Sequence, residues 1–230
     1  MSISSTWSAL LSLVVPVECV RCRRPGQVIC ECCRSHLFDS ASNQPHCFII
    51  APSGFRIGSH LPFSEDVSRI VLGAKDDGNK ELERIVVKSL LKARSLFPPD
   101  LILVPVPTNS RARLRRGRDF LSEMASQVAR ESGDLLLPLL RAVRRVAPQK
   151  SLNAVARSQN MNGAFTLRRD LSHADRKLIS TRELLIVDDV LTTGATMREA
   201  FRALSAGQAR CLGGISAVYS LNWRRSHLAH

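Results

Sequence analysis

Apolar positions along the chain alternate between two spacings, one for buried strands and one for amphipathic helices. Leu184–Val187 is an unbroken apolar run that ends at two carboxylates, Asp188 and Asp189, as a buried strand does where it meets solvent. After Val190 and Leu191 comes the turn Thr192-Thr193-Gly194-Ala195-Thr196, then Met197–Ser205, in which Met197, Ala200, Phe201 and Leu204 recur at helical spacing. Leu101–Pro107 is a second buried strand, and its two closing prolines force an extended exit. Helical spacing marks Leu82, Ile85, Val86, Ser89, Leu90 and Ala93, a helix stopped by Pro98-Pro99. It returns over Asp119–Arg130, which Gly133 stops. Leu135–Leu140, Gly163–Leu167 and Arg210–Tyr219 supply further strands. From Leu101 onward the order predicts an α/β domain with a mainly parallel, doubly wound sheet. In such sheets ligands sit beyond the carboxyl ends of the strands, where the acidic pair falls.

The remainder is less patterned. Trp7–Val15 predicts a short helix ending before Pro16, a piece of core packing. Asp39–His60 shifts to Ser, Asn, Pro and Gly and predicts a linker, followed by a mixed apolar segment over Phe63–Leu72. Asn109–Arg118 predicts a basic loop, Gln149–Leu152 the start of a polar helix carrying Arg157 and Asn160, and His173–Arg182 a charged connection. The chain divides accordingly into residues 1–60, an amino-terminal helix, cysteine knuckle and linker, and 61–230, the sheet domain.

A strand, a Gly-containing loop and a helix in that order make an anion site. The first N–H groups of a helix lack internal partners and lie at the positive end of its dipole. Gly194 allows close backbone approach, and the hydroxyls of Thr192, Thr193 and Thr196 donate to phosphate oxygens. Asp188 and Asp189, as adjacent acceptors, suit vicinal hydroxyls. A phosphate beside a diol is a ribose 5-phosphate.

Length and charge bound the rest. At 230 residues and 44 % hydrophobic content the chain can bury a core unaided. A net charge of +13 and a pI near 10.3 call for an anionic partner without separating nucleotide from nucleic acid. Five arginines fall within Arg111–Arg118 and three within Arg141–Arg145. Aromatics are only 5 % of the chain, so stacking platforms for single strands are not evident.

Five of the seven cysteines crowd between Cys19 and Cys33, and no secretory leader precedes them. This predicts reduced thiols and a cytoplasmic protein with no membrane span. Cys19-x2-Cys22-x7-Cys30-x2-Cys33 is a pair of C-x-x-C knuckles around a basic turn, suited to tetrahedral zinc. Cys32 competes with Cys30 for the third position and His36 could replace either, but Cys30 repeats the spacing of the first knuckle. A closed four-thiolate site makes the zinc structural.

The stretch Leu184–Thr196 resembles the phosphoribosyl-pyrophosphate signature of type I phosphoribosyltransferases. With the four-Cys knuckle, the Val-Pro-Val-Pro strand exit and Gln149, Leu152, Arg157, Asn160 and Phe165, the whole chain resembles the ComF family. The resemblance implies a type I phosphoribosyltransferase-like domain behind a zinc-ribbon-like element, and an association with DNA uptake, competence or DNA metabolism. It implies that Asp188 and Asp189 hold the ribose hydroxyls and act in catalysis, and that Thr192, Thr193, Gly194, Ala195 and Thr196 hold the 5-phosphate. Val106, Pro107, Arg111 and Arg116 would hold pyrophosphate, with Mg2+ arriving alongside it. The family's Arg-Gly-Phe-Asn-Gln becomes Arg116-Gly117-Arg118-Asp119-Phe120 here, and its Lys-aromatic pair becomes Lys75-Asp76. Two classes of function are consistent with these features: a phosphoribosyltransferase, or a non-enzymatic DNA-handling factor retaining the phosphate loop. A ligand-responsive regulator ranks behind both, for want of a helix-turn-helix.

Overall fold

The computed structural model describes residues 17–39, 44–50, 54–108, 110–143 and 161–220. The Trp7–Val15 helix and the polar helix opening at Gln149, with Leu152, Arg157 and Asn160, lie outside them. A six-stranded sheet runs in the order β1-β2-β8-β7-β3-β4. Its strands are β1 (His46–Ile50), β2 (Phe55–Pro62), β3 (Ile102–Pro105), β4 (Leu135–Leu136), β7 (Leu184–Leu191) and β8 (Cys211–Tyr219). Only β1 and β2 pair antiparallel; every other neighbouring pair is parallel. A separate antiparallel pair joins β5 (Leu140–Ala142) to β6 (Phe165–Leu167). The helices are α1 (Glu31–Phe38), α2 (Glu65–Lys75), α3 (Lys80–Arg94), α4 (Ser110–Arg116), α5 (Phe120–Ser132), α6 (His173–Thr181) and α7 (Ala195–Ala206). No described helix is long and apolar enough to cross a membrane.

The central strands form where the apolar runs are densest. Leu184, Leu185, Ile186 and Val187 of β7 are fully buried, as are Ile102, Leu103 and Val104 beside them. Helix boundaries reflect local chemistry: Asn79 accepts the N–H groups of Glu81 and Leu82 to start α3, and Asp119 accepts that of Ser122 to start α5. Gly133, with φ of 77°, ends α5 in a left-handed turn that a Cβ would strain.

Four segments differ from the sequence expectation. The expected linker Asp39–His60 contains β1 and most of β2, and β2 lies between β1 and β8 within the sheet. Small and polar residues hide it: Ser59 Oγ donates to the Ser216 carbonyl at 3.1 Å, and His60 Nδ1 meets Ser89 Oγ at 3.2 Å. These bonds make the polar strand tolerable in the core. The mixed segment Phe63–Leu72 is mostly α2, whose start is capped by Ser64 Oγ accepting the Val67 N–H. The charged connection His173–Arg182 is α6, opened by a reciprocal Ser172–Asp175 capping box. The basic loop Asn109–Arg118 contains the short helix α4.

One buried ion pair ties the frame together. Arg94, at the end of α3, grips Asp134 through Nε and Nη2, the latter at 2.7 Å, and both side chains are nearly inaccessible. Asp134 also accepts the Leu101 N–H at 3.0 Å and the Ser132 hydroxyl at 2.7 Å, linking α3, α5 and the entrance to β3. Burial opposes ionisation of Asp134, but Arg94, Ser132 and the Leu101 N–H outweigh it and hold the carboxyl below its ordinary range. A lowered folded pKa gives stability that is present above the unfolded value near ~3.9 and lost as pH falls through the folded value. Asp134→Asn retains an acceptor for Leu101 but strands the Arg94 charge, so it is expected to cost ~3–5 kcal/mol at neutral pH. Arg94→Met in the same chain should recover part of that loss. Urea unfolding from pH 7 down to about 3 should show the gap to the unmodified protein narrowing as Asp134 protonates. A pH-independent gap contradicts the ionic account.

Candidate functional site

Parallel pairing brings β7 to the sheet centre, and its carboxyl end carries the acidic pair. The strand continues through both residues to Leu191, because Asp188 keeps register with Ser216 and Val190 with Val218. The acids therefore sit within the carboxyl-terminal half of β7, with Val190 and Leu191 still in the strand before the turn at Thr192. Asp188 is 8 % exposed, and its Oδ1 accepts the Asp189 N–H at 2.9 Å. Asp189 Oδ2 is bonded by Lys75 Nζ, from the last turn of α2. Burial, and then the charge of Asp189, push the Asp188 carboxyl well above its ordinary range. Burial also acts on Asp189, but the Lys75 ammonium outweighs it and holds that carboxyl low. At neutral pH one carboxylate is firmly ionic and the other is poised to accept a hydroxyl or positive charge.

The loop after β7 delivers anion donors to the same place. Gly194 adopts φ of 68° as the residue before α7, so the chain reverses and presents the first N–H groups of the helix. Thr193 turns its hydroxyl to the Ala195 N–H at 3.4 Å, and its carbonyl accepts Arg198 Nη2 at 2.9 Å. Thr192 and Thr196 face a cavity of about 370 Å³ whose other polar walls are Ser68, Lys75, Asp188 and Asp189. Phe63, Val71, Leu72 and Val218 form its apolar side. The acidic pair and the Thr192–Thr196 turn thus border one cavity.

The expected pyrophosphate residues are only partly brought in. The Val106 N–H donates to the Val187 carbonyl at 3.0 Å, which sets the β3 exit, and Pro107 after it, beside the residue preceding Asp188. Arg116 bonds Asp76 at 2.6 Å, and Arg118 is held between Glu83 and Glu123. These guanidiniums lock α4 and the start of α5 against α2 and α3. Arg111 lies in α4, but its side chain is outside the described ones. Lys75 and the α2 wall are the parts that the sequence pattern does not reveal. The sequence marks Lys75 only as the remnant of the family's Lys-aromatic pair, with nothing to link it to a strand 114 residues away.

Near the amino terminus, the sulfurs of Cys19, Cys22, Cys30 and Cys33 lie within 4.8 Å of one another, with Cys22 and Cys30 3.6 Å apart. Tetrahedral thiolates at a metal–sulfur distance of ~2.3 Å stand about 3.8 Å apart, so the set fits a metal. Burial pushes the Cys19 thiol up, but the N–H groups of Cys22, Cys30 and Arg21 outweigh it and bring it down to about 6. Cys32 is exposed and outside the converging set. The knuckle docks on α2: Arg21 Nε bonds Asp66 at 2.6 Å and Arg69 Nε the Val20 carbonyl at 2.9 Å. In the cavity the donors are hard oxygens, which suit magnesium that draws its remaining ligands from water and a bound anion.

The phosphoribosyl transferase domain family matches residues 113–223. A protein of Salmonella typhimurium called DNA utilization protein YhgH is 29 % identical over 213 residues, covering 81 % of this chain and 90 % of its own. Competence protein F of Haemophilus influenzae is 27 % identical over 186 residues, covering 76 % and 77 % respectively. Among solved structures, adenine phosphoribosyltransferase of Saccharomyces cerevisiae aligns at 18 % identity with a TM-score of 0.38, covering 79 % of this chain and 86 % of its own.

Proposed function

From the premise that this is a ComF-type protein with a phosphoribosyl transferase domain, we propose that the cavity binds phosphoribosyl pyrophosphate and supports transfer of its phosphoribosyl group. The observation that carries this reading is the meeting of Asp188 and Asp189 with Thr192 and Thr196 around one cavity at the carboxyl end of β7. Thr192, Thr196 and the N–H groups at the start of α7 would anchor the 5-phosphate, with Thr193, Gly194 and Ala195 shaping that turn. Asp188 and Asp189 would accept the ribose hydroxyls and offset the positive charge that grows on the ring as pyrophosphate leaves C1. Catalysis is then positional and electrostatic. Val106, Pro107 and Arg111 would border the pyrophosphate; Arg116 would reach it only by releasing Asp76. Mg2+, when bound with the ligand, supplies charge neutralisation of the leaving group. Zinc in the four-Cys set would be structural, and the working compartment would be the cytoplasm. Isothermal titration with phosphoribosyl pyrophosphate and magnesium tests the reading, and no measurable binding at millimolar ligand sinks it.

A second reading, a factor that handles DNA during uptake, is favoured by the names of the two relatives and the net charge of +13. The two are compatible on one chain. DNA contact would be non-specific and would use phosphate contacts from the Arg111–Arg118 and Arg141–Arg145 clusters. Affinity is then expected to fall by about 10³–10⁵ between 50 and 200 mM salt if ~6–10 phosphates are neutralised. A mobility-shift series across salt checks this, and salt-insensitive or strongly sequence-selective binding contradicts it.

A further inference from the structure

We propose that Lys75 is the built-in counter-cation of the cavity, a positioning residue that lets a sugar phosphate bind beside two carboxylates without a divalent ion. The inference rests on the ribose 5-phosphate reading of the site. The cavity contains a mismatch: a phosphate dianion must sit close to Asp188 and Asp189, and like charges at such separations repel strongly where water is scarce. Lys75 is the one basic side chain among the residues lining the described cavity, and it bonds Asp189 Oδ2 directly. Its side chain is 27 % exposed and that of Asp189 13 %, so the pair is screened far less than a surface bridge.

The ammonium is also held in place from outside the cavity. Helix α2 is capped by Ser64 at its start, and Arg21 and Arg69 tie its first half to the four-Cys knuckle through Asp66 and the Val20 carbonyl. Just past its last residue, Asp76 is bonded to Arg116. Lys75 therefore faces β7 on a helix fixed at both ends, an arrangement that costs little reorganisation when ligand arrives. By occupying one oxygen of Asp189 it leaves Asp188 and the rest of Asp189 to the diol. It converts a doubly acidic wall into one of about a single negative charge.

Calorimetry with ribose 5-phosphate, in chelator and again with magnesium, tests this without requiring turnover. The unmodified protein is expected to bind with nearly the same affinity in both media. Lys75→Met should lose about 10–100-fold in chelator, as for a lost charged hydrogen bond, and magnesium should restore most of the loss. Lys75→Arg, which keeps the charge, should remain insensitive to chelator. If Lys75→Met binds as tightly as the unmodified protein in chelator, the inference is overturned while the cavity reading stands. If its loss is the same in both media, Lys75 acts only through the fold, which also overturns it. No binding of ribose 5-phosphate by the unmodified protein overturns the cavity reading itself.

Discussion

Asp188→Asn together with Asp189→Asn is expected to abolish phosphoribosyl transfer and to weaken phosphoribosyl-pyrophosphate binding, with magnesium present, by at least ~100-fold. That figure corresponds to two charge-assisted hydrogen bonds at about 1.5–3 kcal/mol each. The single variants should separate function from stability. Burial and the neighbouring carboxylate raise the folded pKa of Asp188, so its ionised form is disfavoured in the folded protein. The sign is opposite to that of Asp134: stability falls as pH rises from the unfolded value through the folded one. Asp188→Asn should therefore raise the melting temperature at pH 7–8 and leave it nearly unchanged near pH ~3, where the native carboxyl is already neutral. Asp189→Asn should destabilise instead, because it leaves the Lys75 ammonium without its partner. A more stable protein that no longer binds ligand is the signature of a carboxylate kept for function. Calorimetry and thermal melts across pH read both effects, and unchanged ligand affinity in the double variant refutes the assignment.

The elements legible in the sequence are those whose pattern reports burial directly. Leu184–Val187 and Leu101–Val104 have no polar residue to break them, and the Thr-Thr-Gly-Ala-Thr turn marks the reversal from β7 into α7. The β2 strand is not legible because its core contacts are polar and long-range: Ser59 meets Ser216 and His60 meets Ser89, partners that no local window contains. The same holds for the site. Both carboxylates and the phosphate loop are contiguous in sequence and can be placed together. Lys75 reaches them only because the last turn of α2 is brought within bonding distance of Asp189 on β7, a tertiary fact. The basic cluster is legible only as charge, since its pairing of Arg116 with Asp76 and of Arg118 with Glu83 joins segments far apart in the chain. Asp119, a departure from the expected family pattern, caps α5 and accepts the Thr108 hydroxyl at 3.0 Å, so that substitution keeps a structural purpose.

Protein prepared without chelator is expected to carry one zinc per chain. Cys19→Ser, Cys22→Ser, Cys30→Ser or Cys33→Ser should each lose it, whereas Cys32→Ser should not. The reason is geometric: Cys32 is exposed on α1, while the other four sulfurs converge. Zinc sites of this kind supply folding free energy on the order of 10–16 kcal/mol in isolated fingers, far more than a short knuckle with few core residues gains from burial. Metal loss should accordingly unfold the segment around Cys19–Phe38 while the six-stranded sheet keeps its circular dichroism. The consequence should also reach the cavity, because Arg21 and Arg69 connect the knuckle to α2 and α2 carries Lys75. With that tie released, ribose 5-phosphate affinity in chelator-free buffer lacking magnesium should fall in the metal-free variants, and fall less when magnesium is added. Metal analysis that finds no zinc, or equal zinc loss in Cys32→Ser and Cys30→Ser, removes the basis for the site; retained affinity after zinc loss confines the metal to the knuckle alone.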